Sequence, residues 1–239
     1  MKRRNLFPAF FFVQRIIVWY NDDCAISEIG RNSSKEVIFM KKKDIQKLTG
    51  MAVLTAIIII LQIAGGGIHV GPVSISLVLI PIVTGAVLYG PLAGMILGAV
   101  FGIVVLIMIF LGMDPASMAM MQFNAGATII TCLVKGMLAG LIAGLLNKAI
   151  AKRGSNLSGT IAASIITPVI NTGFYVCMVT FIFRELMEKS YKVHGTAAVF
   201  LLITGMIAAN FVMELISTAV ISPIVITALR KVIGSRKND

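Results

Sequence analysis

At 239 residues, 58% hydrophobic and only 13% charged, with a mean hydropathy of +0.95, the chain is too apolar for a water-soluble domain; such domains run near ~45–50% apolar and ~25% charged. Its net charge of +11 does not point to nucleic acid, because the Lys and Arg fall in short loops and tails without interleaved aromatics, the pattern that sets membrane topology. Composition therefore predicts an all-α, multi-pass protein of the cell membrane, and Cys24, Cys132 and Cys177 are too isolated for a metal site or a disulfide framework.

Residues 1–39 read as a leader unlike the rest. MKRRNLFPAFFF has a basic start and a short apolar run, but Gln14 and Arg15 interrupt it and it is too short to span. MKKKDIQKL, beginning at Met40, is an ordinary cytoplasmic start. A leader left untranslated or disordered stands evenly against a translated one, and residues 40–239 form the membrane domain. Apolar stretches follow at residues 48–64, 77–89, 92–111, 122–146, 159–183 and 197–229. These predict six transmembrane helices, the second marginal in length. Gly112–Met121 (GMDPASMAMM), with its Asp-Pro breaker, and RELMEKSYKVHG read as loops. Lys41, Lys42, Lys43 and Lys47 precede the first span. Lys148, Lys152 and Arg153 separate the fourth from the fifth, and Arg230, Lys231, Arg236 and Lys237 follow the sixth. Six crossings put these clusters on one side, which the positive-inside rule makes cytoplasmic, with both termini inside.

Within the spans two patterns stand out. Gly90, Gly94, Gly98 and Gly102 recur every four residues on the third, as do Gly136, Gly140 and Gly144 on the fourth; small-residue ladders let two backbones approach. Polar groups concentrate on the last three spans, the first three being nearly devoid of them. Asn124, Thr128, Thr131 and Lys135 share one face of the fourth; Thr160, Ser164, Thr167, Asn171 and Tyr175 share one of the fifth; Asn210, Glu214 and Ser217 mark the sixth. A charge at mid-bilayer costs roughly 2.5–3.5 kcal/mol on insertion scales. The stripes must therefore face one another, as interhelical hydrogen bonds or as the wall of a polar cavity. Lys135 and Glu214 fit either a buried ion pair on the cavity floor or direct ligand contacts. Pro168, inside the fifth span, frees a carbonyl and predicts a bend.

Taken together, the six spans, the Ala52-x-x-x-Ala56 pair on the first helix, a Gly-rich first external loop, the run LVLIPIVTGAVLYGPLAGMILGAVFG and the polar residues of the last three helices resemble the S components of energy-coupling factor (ECF) vitamin transporters. The resemblance covers about residues 42–232. It implies a substrate-binding subunit for a vitamin or related micronutrient, with no ATPase and no cofactor of its own, working with a transmembrane coupling subunit and two ATPase subunits in the lipid bilayer. Ala52 and Ala56 would be the docking surface, residues 65–76 the gate, and Asn124, Thr128, Thr131, Lys135, Asn171, Tyr175, Asn210 and Glu214 the substrate-binding residues. The pattern is most similar to the pantothenate-type group, whose carboxylate would need a cation, Lys135 or Arg184.

The rival class is an autonomous secondary transporter of a small polar metabolite, with Glu214 as the proton-coupling carboxylate; it lacks the expected internal repeat and paired broken helices. An enzyme is not expected. The chain has no HExxH, no paired carboxylates and no GxxxxGK[ST] loop, and His69 and His194 fall in external loops.

Overall fold

The computed structural model describes residues 34–65, 69–70, 73–74, 77–152 and 155–235, with side chains over 45–65, 77–152 and 155–231. Its elements are α1 (Ser34–Gly65), a hairpin of β1 (His69–Val70) and β2 (Val73–Ser74), then α2 (Leu79–Tyr89), α3 (Pro91–Phe110), α4 (Pro115–Phe123), α5 (Ala125–Ala151), α6 (Asn156–Phe181), α7 (Arg184–Tyr191) and α8 (Thr196–Ser235). Contacts divide the chain between Ile45 and Gln46, and the second unit, Gln46–Asp239, holds the membrane helices.

Among the described residues, five helical stretches are long and apolar enough to cross a membrane: Ile45–Gly65, Pro91–Phe110, Ala125–Ala151, Asn156–Phe181 and Thr196–Lys231. The sixth expected crossing, α2, is an apolar helix of 11 residues. At 1.5 Å per residue it reaches about 16 Å, roughly half of a ~30 Å hydrocarbon core. Instead of meeting lipid it fills the centre of the bundle, every residue from Leu79 to Val87 being buried. Residues 1–33, most of the expected leader, lie outside the described residues, and α1 runs through Met40 without a break.

Two expected loops are helices. Asp114-Pro115 starts α4 instead of merely breaking α3. The Asp114 side chain accepts the Ser117 N–H at 3.1 Å, and Pro115 occupies the first helical position, where a missing N–H costs nothing. α7 is held by Arg184–Glu188 and Lys189–Glu185 pairs, each 2.7 Å and four residues apart, a spacing that stacks opposite charges on one helix face. Gly90, with φ +100°, is the turn that ends α2 before Pro91 starts α3. It is therefore no rung of the ladder. α6 remains one helix across Pro168.

The remaining glycines pair across α3 and α5. A methyl added at Gly94 would lie 2.5 Å from the Gly140 carbonyl oxygen, one at Gly98 would strike the Gly136 carbonyl, and one at Gly102 would lie 2.5 Å from that of Cys132. Falling numbers on one helix meet rising numbers on the other, so the helices are antiparallel with their backbones in contact. Ala139 and Ala143, also on α5, are fully buried, and α6 and α8 complete the bundle. α1 lies at its edge. Met51, Leu54 and Ile58 face inward, while Ala52, Val53, Ala56, Ile60 and Ile63 are exposed.

Gly98→Ala should lower the thermal midpoint of the detergent-solubilised protein, overpacking costing about 1–3 kcal/mol. Gly205→Ala, where nothing lies near the added methyl, should be neutral or gain up to about 1 kcal/mol of helix propensity. Matching midpoints for the two variants would remove the ladder from the account of packing.

Candidate functional site

Lys135 lies about 15 Å along α5 from its first residue, counting 1.5 Å per residue, near the middle of a hydrocarbon core. Its Nζ sits 5.5 Å from the centroid of the Phe101 ring on α3 and 5.4 Å from that of Tyr175 on α6. Ring faces attract a cation by about 0.5–2 kcal/mol each, more as water is removed. Glu214, on α8, is 5% exposed, and Thr172 donates its hydroxyl to Oε2 over a long 3.4 Å. Lys135 is within electrostatic range of that carboxylate, but the direct ion pair, one of the two arrangements the sequence left open, is not formed. Among the described residues, the ion pairs within 4.0 Å are the two on α7.

The polar stripes separate into two kinds of group. Thr128, Thr131, Thr160, Ser164 and Thr167 turn their hydroxyls onto the carbonyl four residues earlier, at 2.7–2.9 Å. They are buried yet satisfied within their own helices, as Ser and Thr can be. Asn147 Oδ1, Asn171 Oδ1, Thr180 Oγ1, Asn210 Oδ1, Thr218 Oγ1 and Ser222 Oγ are buried with no hydrogen-bond partner. An unmet polar atom costs about 1–3 kcal/mol. Asn171 adjoins Thr172, which bonds Glu214, and Asn210 lies one turn before Glu214, whereas Asn147 and Thr180 stand near the ends of α5 and α6.

Several placements differ from expectation. Asn124 stands at the head of α5 instead of on its face. It is exposed, its N–H closes α4 onto the Met120 carbonyl, and its side chain accepts the Ala127 N–H at 3.0 Å. Arg184 donates to Glu188 and to the Thr196 hydroxyl, at 2.7 and 3.1 Å, among the residues at the α7 end. Ser217 is only half-buried and bonds the Glu214 carbonyl at 3.1 Å. The buried face of α8 continues instead through Thr218 and Ser222, both fully buried. The signal was present: Asn210, Glu214, Thr218 and Ser222 follow one another at steps of four. Phe101 and Thr172 were also missed, the former because an aromatic residue in an apolar helix carries no mark of its role. Of the expected gate at 65–76, the structure describes Gly65 and the four hairpin residues, with β2 against α8.

Apolar packing lies on either side of the polar level. Toward α4 and α7, Met120, Val179, Phe183, Val199 and Ile203 form a buried cluster with Tyr175, Leu186 and Met187 against it, and the Tyr175 hydroxyl approaches Met120 Sδ at 3.9 Å. Toward the opposite end, Val83, Ala86, Val87, Ala143, Ala163 and Ile226 form a second cluster. No metal-binding group of His, Cys, Asp or Glu occurs among the described residues.

A bundle of long apolar helices with a lysine, a buried glutamate and unmet amide oxygens on three of them defines the class: a membrane protein with a candidate site inside its bundle. Residues 46–226 match the family described as ECF transporter, substrate-specific component, and the chain belongs to that family. No curated protein matches it. It is accordingly a multi-pass membrane protein of a family whose members bind small substrates and work with a transmembrane coupling subunit and ATPases; they are transporter subunits, not enzymes.

α7 is tied over one end of the site by Glu188, which accepts from Arg184 and from the Gly195 N–H at 2.9 Å. The Arg184 hydrogen bond, followed by that N–H, holds the Glu188 carboxyl below the usual glutamate range. A depressed carboxylate stabilises the fold above its unfolded pKa, about 4.3, and this contribution is lost as pH falls through the lower folded value. Amide exchange at Gly195 should therefore gain protection as Glu188 ionises, once corrected for intrinsic rates, and Glu188→Gln should flatten that pH profile. An unchanged profile would rule this anchor out.

Proposed function

We propose that this chain is the high-affinity substrate-binding subunit of an ECF-type, ATP-driven importer of a vitamin or related micronutrient. Both termini would be cytoplasmic, which requires α2, buried in the bundle and short of a full crossing by itself, to stand for the second of six passages. The single observation carrying the reading is the pair of buried, unmet oxygens of Asn171 and Asn210 on the helices that carry Thr172 and Glu214, which a polar ligand would satisfy. Lys135 would meet a ligand carboxylate, Glu214 and the Asn171 and Asn210 oxygens its hydroxyl or amide donors, and Tyr175 its apolar body. Thr128 and Thr131 would shape the same wall, with Asn124 at its rim. Pantothenate, with a carboxylate, an amide and hydroxyls, is the first candidate. Ala52 and Ala56, exposed on α1, would form the bare surface for the coupling subunit, and the hairpin region would gate the site.

Calorimetric titration with pantothenate, beside mass spectrometry of whatever small molecule co-purifies, tests the substrate. Lys135→Met should weaken binding of an acidic ligand at least tenfold, the loss of one charge-assisted hydrogen bond being worth about 1.5–3 kcal/mol. Full affinity in that variant would remove Lys135 from the site. Ala52→Trp with Ala56→Trp should leave binding intact and abolish uptake in cells that co-express the coupling subunit and ATPases. Uptake by the chain alone, at the same rate, would instead favour an autonomous transporter.

A further inference from the structure

A second recess lies away from these polar groups, at the end of the bundle where α5 turns into α6 and α8 finishes. Leu157 on α6 and Pro223, Ile224, Thr227, Ala228 and Lys231 on α8 line an open groove of about 450 Å³. Its floor is apolar. Pro223 and Thr227 add no free donor, since proline has no N–H and the Thr227 hydroxyl is turned back onto the Pro223 carbonyl at 2.7 Å. Lys231 stands exposed at one end of the groove. Beside it, Arg230 reaches the Asn156 carbonyl with Nη1 at 3.4 Å, which ties α8 to the first turn of α6 and holds the walls together.

Among the described side chains, charge around this groove has one sign. Lys148 and Lys152, both exposed, end α5 immediately before the turn into α6. The acids of residues 45–231 are Asp114, Glu185, Glu188 and Glu214: the first three belong to the opposite end, on α4 and α7, and the last is buried at mid-depth. No carboxylate within that stretch is placed to neutralise Lys231. An apolar trough between two membrane helices, ending in cations that no carboxylate among the described side chains neutralises, at the level where a helix leaves the hydrocarbon, matches an acyl chain joined to a phosphate.

We propose that the α6–α8 groove is a binding site for an anionic phospholipid, one acyl chain lying along Leu157, Pro223, Ile224 and Ala228 and the headgroup phosphate meeting Lys231. This site is independent of the substrate site, and its occupant is the lipid of the surrounding leaflet, not a transported molecule.

Native mass spectrometry of the full chain, released from detergent containing equal amounts of phosphatidylglycerol and phosphatidylcholine, tests it. The wild type should retain one phosphatidylglycerol several-fold in preference to phosphatidylcholine. Lys231→Gln, which removes the charge, and Ala228→Trp, which fills the trough, should each reduce that preference at least threefold; both positions are exposed, and unchanged thermal midpoints in lipid-free detergent would show that the variants fold. Equal retention of the two lipids by the wild type overturns the proposal. So does loss of preference in Lys231→Gln alone, which would mean unspecific attraction to the basic end, or in Ala228→Trp alone, which would mean an apolar contact indifferent to headgroup.

Discussion

A lipid interior offers no water, so each polar group that enters it must be answered by the protein itself. That constraint sorts the side chains of this bundle by reach. A serine or threonine hydroxyl is short enough to bond the carbonyl of its own helix, and most of those in α5 and α6 do so. An amide, an ammonium or a carboxylate is held away from its own backbone and has to look across to another helix. Asn171, Lys135, Asn210 and Glu214 are such groups, on α5, α6 and α8, of which α6 packs against both of the others. The candidate site is thus where self-satisfaction fails.

Close packing elsewhere makes that convergence possible. With no side chains between them, α3 and α5 touch backbone to backbone through Gly94, Gly98 and Gly102 on one and Gly136 and Gly140 on the other. Gly136 is also the residue after Lys135, and a methyl built on it would stand 3.0 Å from Phe101 Cδ1. The bare rung therefore admits the Phe101 ring, and the ring then supplies one of the two faces under the Lys135 ammonium. A motif that serves helix association also sets the electrostatic surroundings of the buried cation.

Much of the membrane architecture was legible because hydropathy needs no tertiary information. The long apolar helices lie close to their expected bounds, and the glycine ladders were expected to bring backbones together. The helices α4 and α7 were not legible as apolar runs. They are held by a cap at Asp114 and by ion pairs four residues apart, local signals that a hydropathy reading passes over. For the polar cluster, Lys135 and Glu214 stand out in sequence because they are out of place in an apolar helix. Thr218 and Ser222 do not, since a small hydroxyl is ordinary there, and only the partner-free state of their oxygens sets them apart. Asn124 shows the reverse error: a polar residue in step with a stripe can be a helix cap, and spacing alone does not distinguish the two.

The separation of Lys135 from Glu214 bears on how such a site works. A direct salt bridge between buried charges is strongly destabilising to break, by about 3–5 kcal/mol when one partner is lost, and a ligand inserted between them would face a comparable opposition. Here each charge has weaker company, the lysine two ring faces and the glutamate one long hydrogen bond from Thr172. Both are near enough for mutual attraction to lower the cost of burial, yet neither is committed. On the reading proposed above, an entering polar molecule replaces weak contacts instead of strong ones, so more of its interaction energy appears as affinity.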